Sequence, residues 1–423
     1  MAQAEMAAGG AAGGIVTSDG VPLKTSLRRA NRRRRIAAFL LVTPLLAFVM
    51  ITFVIPIADM LWRSVDNPTI VSTLPRTLAA LQDWDGRDLP PEAAYAAMVE
   101  DLRNGQENRT IGRVGIRLNY ELSGARSLFN SSARRAAGLE APYKKSLSEV
   151  HRLWGQPSIW RIIKREGRAL TPAYYISAVD LRYDEGGNVV RQPENQRIYV
   201  QLFVRTLILS LTITLTTLLL GYPIAHLLAT LPLRYSNLLM ILVLLPFWTS
   251  LLVRTTAWIV LLQQQGVIND ILVNTGFLSD GNRLQMIHNA LGTVIAMTHI
   301  LLPFMVLPLY SVMKTIPPTY VRAARSLGAN QWTAFWKVYA PMTLPGVGAG
   351  AVLVFIISIG YYITPALVGG QTGQMISNLI AFHMQNSLNW GLAAALGSIL
   401  LAGVLVLYWL YGRIVGVDNV KLG

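Results

Sequence analysis

Residues 314–341 read KTIPPTYVRAARSLGANQWTAFWKVYAP, and the reading of the whole chain turns on them. Pro317 and Pro318 suit a first helical turn, where the amide hydrogens they lack would have no partner in any case. Val321, Ala324 and Leu327 follow at helical spacing, and Gly328 interrupts at a position where a small residue permits a turn or a close backbone approach. Trp332, Phe335, Trp336 and Tyr339 fall at i, i+3, i+4 and i+7, an aromatic stripe on a second short helix. Pro341, and Pro345 with Gly346 beyond it, stop that helix. The pattern predicts a helix-turn-helix. Apolar runs border it on both sides, so it lies at the face of a membrane.

The composition around it agrees. Of 423 residues, 52% are hydrophobic and only 14% charged, where a soluble domain carries about 25%. A disordered chain and an ordinary cytosolic protein are excluded, and a polytopic membrane protein is indicated. Cysteine is absent, which removes disulfides, thiolate metal sites and cysteine nucleophiles. The formal net charge of +15 is unevenly placed. Its tightest cluster, Arg28, Arg29 and Arg32 to Arg35, abuts an apolar run and reads as an anchor beside anionic lipid, with no nucleic acid as partner.

About 20 apolar residues cross a bilayer, and the charge-free stretches give six crossings. The first is 36–62; its 23 uncharged residues ahead of Asp59 exceed the roughly 7–15 of a cleaved signal's apolar core, so it is retained. The second is 202–231, and the third is 238–262 with Arg254 inside it. The fourth lies between Arg283 and Lys314. No Asp, Glu, Lys or Arg occurs between Lys337 and Arg413, which leaves room for a fifth and a sixth divided by the Gly-rich 369–389. Arg234 in one short loop, and Lys314, Arg322, Arg325 and Lys337 in another, satisfy the positive-inside rule with both termini cytoplasmic. Residues 1–35 are then a basic cytoplasmic tail without regular structure, and 413–423 a second tail.

Residues 63–201, with 20 basic and 16 acidic side chains, are too periodic for a linker. They form an inserted extracytoplasmic domain, α+β or mostly helical. Tyr95, Met98 and Leu102 mark a helix after Pro90 and Pro91. Ser146 with Glu149 fits a capping box ahead of Val150, Leu153 and Trp154. Tyr175 to Tyr183 reads as a strand that turns at Glu185, Gly186 and Gly187 into Asn188 to Val190. Asn108 and Asn130 head Asn-x-Ser/Thr triplets to which no role is assigned.

At 322–341 the chain resembles the EAA loop of inner-membrane permease subunits of binding-protein-dependent ABC importers. That family's pattern is Glu-Ala-Ala, a Gly after three more residues, then a β-branched residue and a proline. Ala323, Ala324, Gly328, Val338 and Pro341 keep the spacing, Ala329 follows the glycine, and Arg322 stands where the family usually has Glu. PFWTSLLVRTTAW at 246–258, LLPFMVLPLYSVMKTIP at 301–317, YYITPALVGG at 361–370 and Asn389-Trp390-Gly391 are similar to the spermidine/putrescine branch. The resemblance covers 202–412, the permease core, and more moderately the first crossing. It implies an all-α polytopic fold with six transmembrane helices of the type I importer kind. It also implies that Arg322, Ala323, Ala324, Gly328, Ala329, Val338 and Pro341 seat a separate ATP-binding subunit. A second permease subunit, related or identical, and an extracytoplasmic solute-binding protein complete the implied assembly in a bacterial inner membrane. The implied cargo is a small organic solute, polyamine-like.

The loop makes physical sense without the family, because small residues at Ala323, Ala324 and Gly328 allow another backbone to approach, and packed contacts transmit displacement. No GxxxxGK[ST] motif and no Gly-Lys dipeptide occur, so the chain is not itself an ATPase and hydrolysis falls to a partner. Arg254, which costs at least about 2.5–3.5 kcal/mol to insert, is a pathway candidate together with Trp258 and Asp59. A structural role for Arg254, snorkelling or neutralising helix carbonyl ends, is the alternative. His226, His288, His299 and His383 share no metal-like pairing and read as packing residues, so neither metal nor cofactor is expected. Two other classes compete. An ion-gradient-driven secondary transporter requires intramembrane acids, which are scarce, and a membrane-anchored sensor using 63–201 as input leaves the six crossings unexplained.

Overall fold

The computed structural model describes residues 23–184 and 186–415, so the expected tail before residue 23, Glu185 in the expected turn and most of the second tail lie outside the described residues. Among the described residues, those up to Trp62 fall in one compact unit and those from Arg63 onward in another. In the first, a helix runs over Leu23–Val49, widens into a π-turn at Met50–Val54 and continues as Ile55–Arg63. Residues 23–35 are therefore helical rather than unstructured, since arginine and leucine favour helix and nothing there interrupts the ladder. Apolar side chains point outward, Leu41 being 82% and Phe39 63% exposed, as suits a helix solvated by lipid. Thr43 and Thr52 donate to carbonyls four residues back at 2.7 Å, which satisfies both hydroxyls without water.

The second unit begins with the inserted domain, a stack of short helices. The helix predicted around Tyr95 spans Glu92–Glu107, with Tyr95, Met98 and Leu102 fully buried. Trp154 and Trp160 join them, their ring centroids 5.2 Å apart, with Tyr95 4.6 Å from Trp160. The polar ends of these rings are all used: Tyr95 Oη and Trp160 Nε1 donate to the Trp154 carbonyl at 2.8 and 3.1 Å, and Trp154 Nε1 donates to Ser132 Oγ at 2.8 Å. Burial pushes the Tyr95 phenol up to about 12. Buried charge is likewise partnered. Arg117 donates to Glu166 and Glu121 at 2.6 and 3.2 Å, and Arg165 to the same two at 2.8 and 2.7 Å.

Two local expectations fail in this domain. Ser146 lies inside the helix Tyr143–Val150 and donates back to the Glu140 carbonyl at 3.0 Å, so Pro142 holds the cap position and no Ser146–Glu149 capping box forms. Of the expected strand, only Leu181–Tyr183 pairs, antiparallel with Val189–Arg191. Residues Ala173–Ala178 are helical instead, because Tyr174 and Ala178, four apart, are both buried.

Asp180, at φ +58, ties the inserted domain to the membrane core. Its carboxylate accepts the amides of Ile198, Tyr199 and Val200 at 3.1, 3.0 and 2.8 Å, capping the long helix Tyr199–Thr230. That helix, Ala290–Thr315, Trp390–Arg413 and the first-unit helix are each long and apolar enough to cross a membrane. Leu233–Trp248 with Leu251–Asn274, bent by 99°, and Gln331–Met342 with Leu344–Gly360, bent by 58°, bring the total to six if each pair is one crossing. The third crossing, expected unbroken over 238–262, breaks at Thr249 and Ser250. Pro246 has no amide for the ladder there, and Ser250 Oγ accepts the Val253 amide at 3.2 Å to start the next helix. The 369–389 divider is itself structured, holding Gly370–Gly373 and Ile376–Gln385.

Ala290–Thr315 is the centre of the core, packed on both Tyr199–Thr230 and Leu344–Gly360. Small residues set that closeness. A Cβ on Gly221 would stand 3.0 Å from Met305 Cγ, and one on Gly350 2.8 Å from Met305 Sδ. The Thr216 and Thr298 hydroxyls meet at 2.7 Å across the same interface, the mode of helix association that works when lipid removes the hydrophobic driving force.

Candidate functional site

The predicted helix-turn-helix is present. Its first helix spans Thr319–Ser326, with Pro318 at the cap rather than in the first turn. It ends in a left-handed residue, Gly328 at φ +89. The Gly328 amide donates to the Arg325 carbonyl and the Ala329 amide to the Ala324 carbonyl, both at 3.0 Å, which closes the helix as a Schellman motif. Asn330 then caps the second helix, its Oδ1 accepting the Thr333 amide at 2.7 Å. Gln331–Ala334 is followed by a π-turn over Phe335–Tyr339 and by Ala340–Met342. The widened turn precedes Pro341, which has no amide to donate to the Lys337 carbonyl. The helix stops at Thr343, between the two prolines expected to end it.

The aromatic stripe divides into two halves with opposite surroundings. Tyr339 is buried, and its ring lies 5.0 Å from that of His226, with Phe335 5.6 Å from the same imidazole. Tyr222 Oη and Thr343 Oγ1 share a hydrogen bond at 3.1 Å. Both His226 and Tyr222 belong to Tyr199–Thr230, so the knuckle is clamped to that helix. Trp332 and Trp336 face away, 74% and 60% exposed, with Leu327 at 89%. No residue of Thr319–Ser326 is buried.

The seven residues named from the sequence all fall on this element. Arg322, Ala323, Gly328 and Pro341 are exposed, while Ala324, Ala329 and Val338 are half-buried. A Cβ on Gly328 would meet open space, so its conformation rather than crowding requires glycine. Arg322, Arg325 and Lys337 are exposed too, and 314–341 contains no acid. The clamp residues Tyr222 and His226 were not singled out for function. Their signal is an aromatic i, i+4 pair that matches Phe335 and Tyr339 on the loop, legible only once the two segments are known to touch.

Arg254 and Trp258 share a face of Leu251–Leu262. Trp258 Nε1 donates to His299 Nδ1 at 3.2 Å, and Arg254 Nε is buried with no partner among the described residues. Asp59 lies on Ile55–Arg63, in the first unit, exposed. His299 comes from a helix 41 residues away in sequence, a partner that no local pattern announces.

Residues 217–415 match the family model described as binding-protein-dependent transport system inner membrane component. The spermidine/putrescine transport system permease protein PotB of Haemophilus influenzae is 34% identical over 247 residues, 56% of this chain and 86% of that one. PotB of Escherichia coli K12 is 34% identical over 51% of this chain and 79% of its own length. The inner membrane ABC transporter permease protein YdcU of the same strain is 32% identical over 46% of this chain and 65% of its own length. Among solved structures, one chain of a bacterial alginate ABC transporter crystallised with its pentasaccharide-bound periplasmic protein aligns over 53% of this chain and 80% of that one, at 19% identity and a TM-score of 0.42. The coverage and identity to PotB settle membership: the chain belongs to the inner membrane component family of binding-protein-dependent transport systems, and it is a multi-pass permease subunit of an ABC importer.

Proposed function

We propose that this permease subunit carries a small organic solute of the polyamine kind inward by alternating access, driven by a separate ATP-binding subunit seated on the knuckle. One observation carries the reading. Leu327, Trp332 and Trp336 form an apolar prominence that their own chain leaves uncovered, on an element clamped to a membrane helix. Ala323, Ala324, Gly328 and Ala329 let the partner's backbone come close, Val338 and Pro341 shape the second helix, and displacement passes through Tyr339 and His226 into Tyr199–Thr230. Arg322 adds a cation where Glu is usual, and an acidic groove in the ATP-binding subunit complements it.

A second permease chain, related or a second copy, completes the path, and a solute-binding protein delivers cargo to the face opposite the knuckle. Both termini are assigned to the cytoplasm by the positive-inside rule. The cargo class rests on the relatives' names. Arg254 and Trp258 line the path, and Asp59, on the first unit, is a separate and weaker candidate. Within 202–412 the acids are Asp270 and Asp280, both bound to Arg283 at 2.7 and 2.8 Å, so the core spares no carboxylate for a cation and selection belongs to the binding protein. Family membership sets aside the ion-driven and sensor alternatives.

Leu327→Glu tests the reading, since the side chain is too exposed to be needed for folding. Co-purification of the ATP-binding subunit and uptake of labelled spermidine are both expected to be lost with membrane insertion intact. Undiminished capture together with normal uptake would overturn the proposal. Gly328→Glu is expected to give the same loss, with loop strain from φ +89 added.

A further inference from the structure

A cleft of about 770 Å³ opens where the inserted domain meets the head of the last membrane helix. Arg113, Arg117 and Arg126 line it from the helices Ile111–Asn119 and Ala125–Arg135, with Arg63, Leu388 and Trp390 opposite. Gly115 builds the basic wall: a Cβ there would stand 3.2 Å from Arg126 Cα, so the two arginine-bearing helices cross almost in backbone contact. Arg117 is neutralised by Glu121 and Glu166, though its Nε is buried without a partner among the described residues. Arg113 and Arg126 are exposed, and neither guanidinium meets an acceptor among the described residues. Among the described residues Asp66 is the only acid in the lining, against four arginines, so the cleft is positive.

Apolar groups stand among these arginines. Leu388 is 65%, Trp390 48% and Ile116 39% exposed. A free inorganic anion, or an acidic protein surface, would account for the arginines and leave those three side chains wetted for no reason. An amphiphile accounts for both. The height also fits, because Trp390 opens the last membrane helix, and aromatic and basic side chains gather at the level of lipid headgroups.

We propose that the cleft binds a phosphate-bearing anion supplied as the headgroup of an anionic phospholipid, with Arg113 and Arg126 on the phosphate and Leu388 and Trp390 along the glycerol and upper acyl chain. Lipid there bridges the inserted domain to the membrane core and fixes its stance on the bilayer. The inference does not rest on the cargo or on the ATP-binding subunit.

The full chain in detergent, titrated with phosphatidylglycerol, phosphatidylcholine or inorganic phosphate and followed by native mass spectrometry, tests it. Phosphatidylglycerol is expected to bind most tightly, and Arg113→Gln with Arg126→Gln to weaken it by about thirtyfold, given the usual worth of two arginines near a charged lipid surface. Arg134→Gln with Arg135→Gln, on the same helix outside the cleft, is expected to change nothing. Should the double variant misfold, Arg113→Gln alone, at an exposed and unpartnered position, decides with a smaller loss. Equal affinity for phosphatidylcholine, or unchanged affinity in the cleft variants, would contradict the proposal. So would displacement of the lipid by inorganic phosphate, which marks a free-anion site, or by polyglutamate, which marks a protein-docking face.

Discussion

Two helical appendages extend from the membrane core, and they treat their aromatic side chains in opposite ways. The inserted domain keeps Tyr95, Trp154 and Trp160 at 0% exposure and gives every ring polar atom a partner. The knuckle shows Trp332 and Trp336 to the outside and buries only the half of its stripe that clamps it to Tyr199–Thr230. Tryptophan hidden in this way holds a domain together. Tryptophan displayed on a rigid support contributes little within its own chain, Trp336 meeting the edge of Phe335 at 5.2 Å between ring centroids, and it gains worth when another surface covers it. The contrast therefore separates an element whose aromatics are satisfied within the chain from one that, on the proposal above, is finished by a partner.

The largest expected effect attacks the hidden side. Trp160→Ala should destabilise the inserted domain by about 3–5 kcal/mol, read as an early unfolding transition of the purified chain, whereas Trp336→Ala should leave thermal unfolding unchanged. Equal losses would erase the distinction. A smaller effect is expected where the inserted domain joins the core. Asp180→Ala removes the cap of Tyr199–Thr230 and should cost about 0.5–2 kcal/mol, seen as faster amide exchange at Ile198, Tyr199 and Val200. Protection as in the wild type would show that the cap is decorative.

The smallest concerns acid. Burial, then Arg152, holds the His151 imidazole below its ordinary value, and its Nδ1 accepts the Leu153 amide at 3.3 Å. With the folded value below the unfolded one, that contribution is present above about pH 6.5 and is lost as pH falls through the folded value. His151→Gln should flatten a slight loss of inserted-domain stability between neutral and mildly acid pH. A loss of the same slope in the variant would assign it elsewhere.

The knuckle was legible because its punctuation is local: Pro317 and Pro318 before it, Gly328 at its turn and four aromatics at helical spacing. Membrane helices were legible for the same reason, since crossing a bilayer is a matter of length and composition. What escaped is either local punctuation outweighed by the pattern around it or a contact distant in sequence. The break at Thr249 and Ser250 sits in an apolar run that reads as continuous, and the Tyr175 region alternates like a strand while the burial of Tyr174 and Ala178 makes it helix. Ser146 and Glu149 have capping-box spacing, but Pro142 starts the helix earlier. That the seven loop positions share one helix-turn-helix could be read in advance. The clamp through Tyr222 and His226 and the Trp258–His299 hydrogen bond could not, because each needs a partner from another helix.

The chain has no cysteine, so Leu327→Cys creates a unique thiol at the tip of the knuckle. Short-range crosslinking of that thiol in the assembled transporter tests most directly whether the exposed stripe is covered by a partner. The account predicts a crosslink to the ATP-binding subunit from Leu327→Cys and none from Arg126→Cys on the inserted domain. A Leu327→Cys thiol that reacts with solvent probes equally well with and without the ATP-binding subunit, and forms no crosslink to it, would contradict the account.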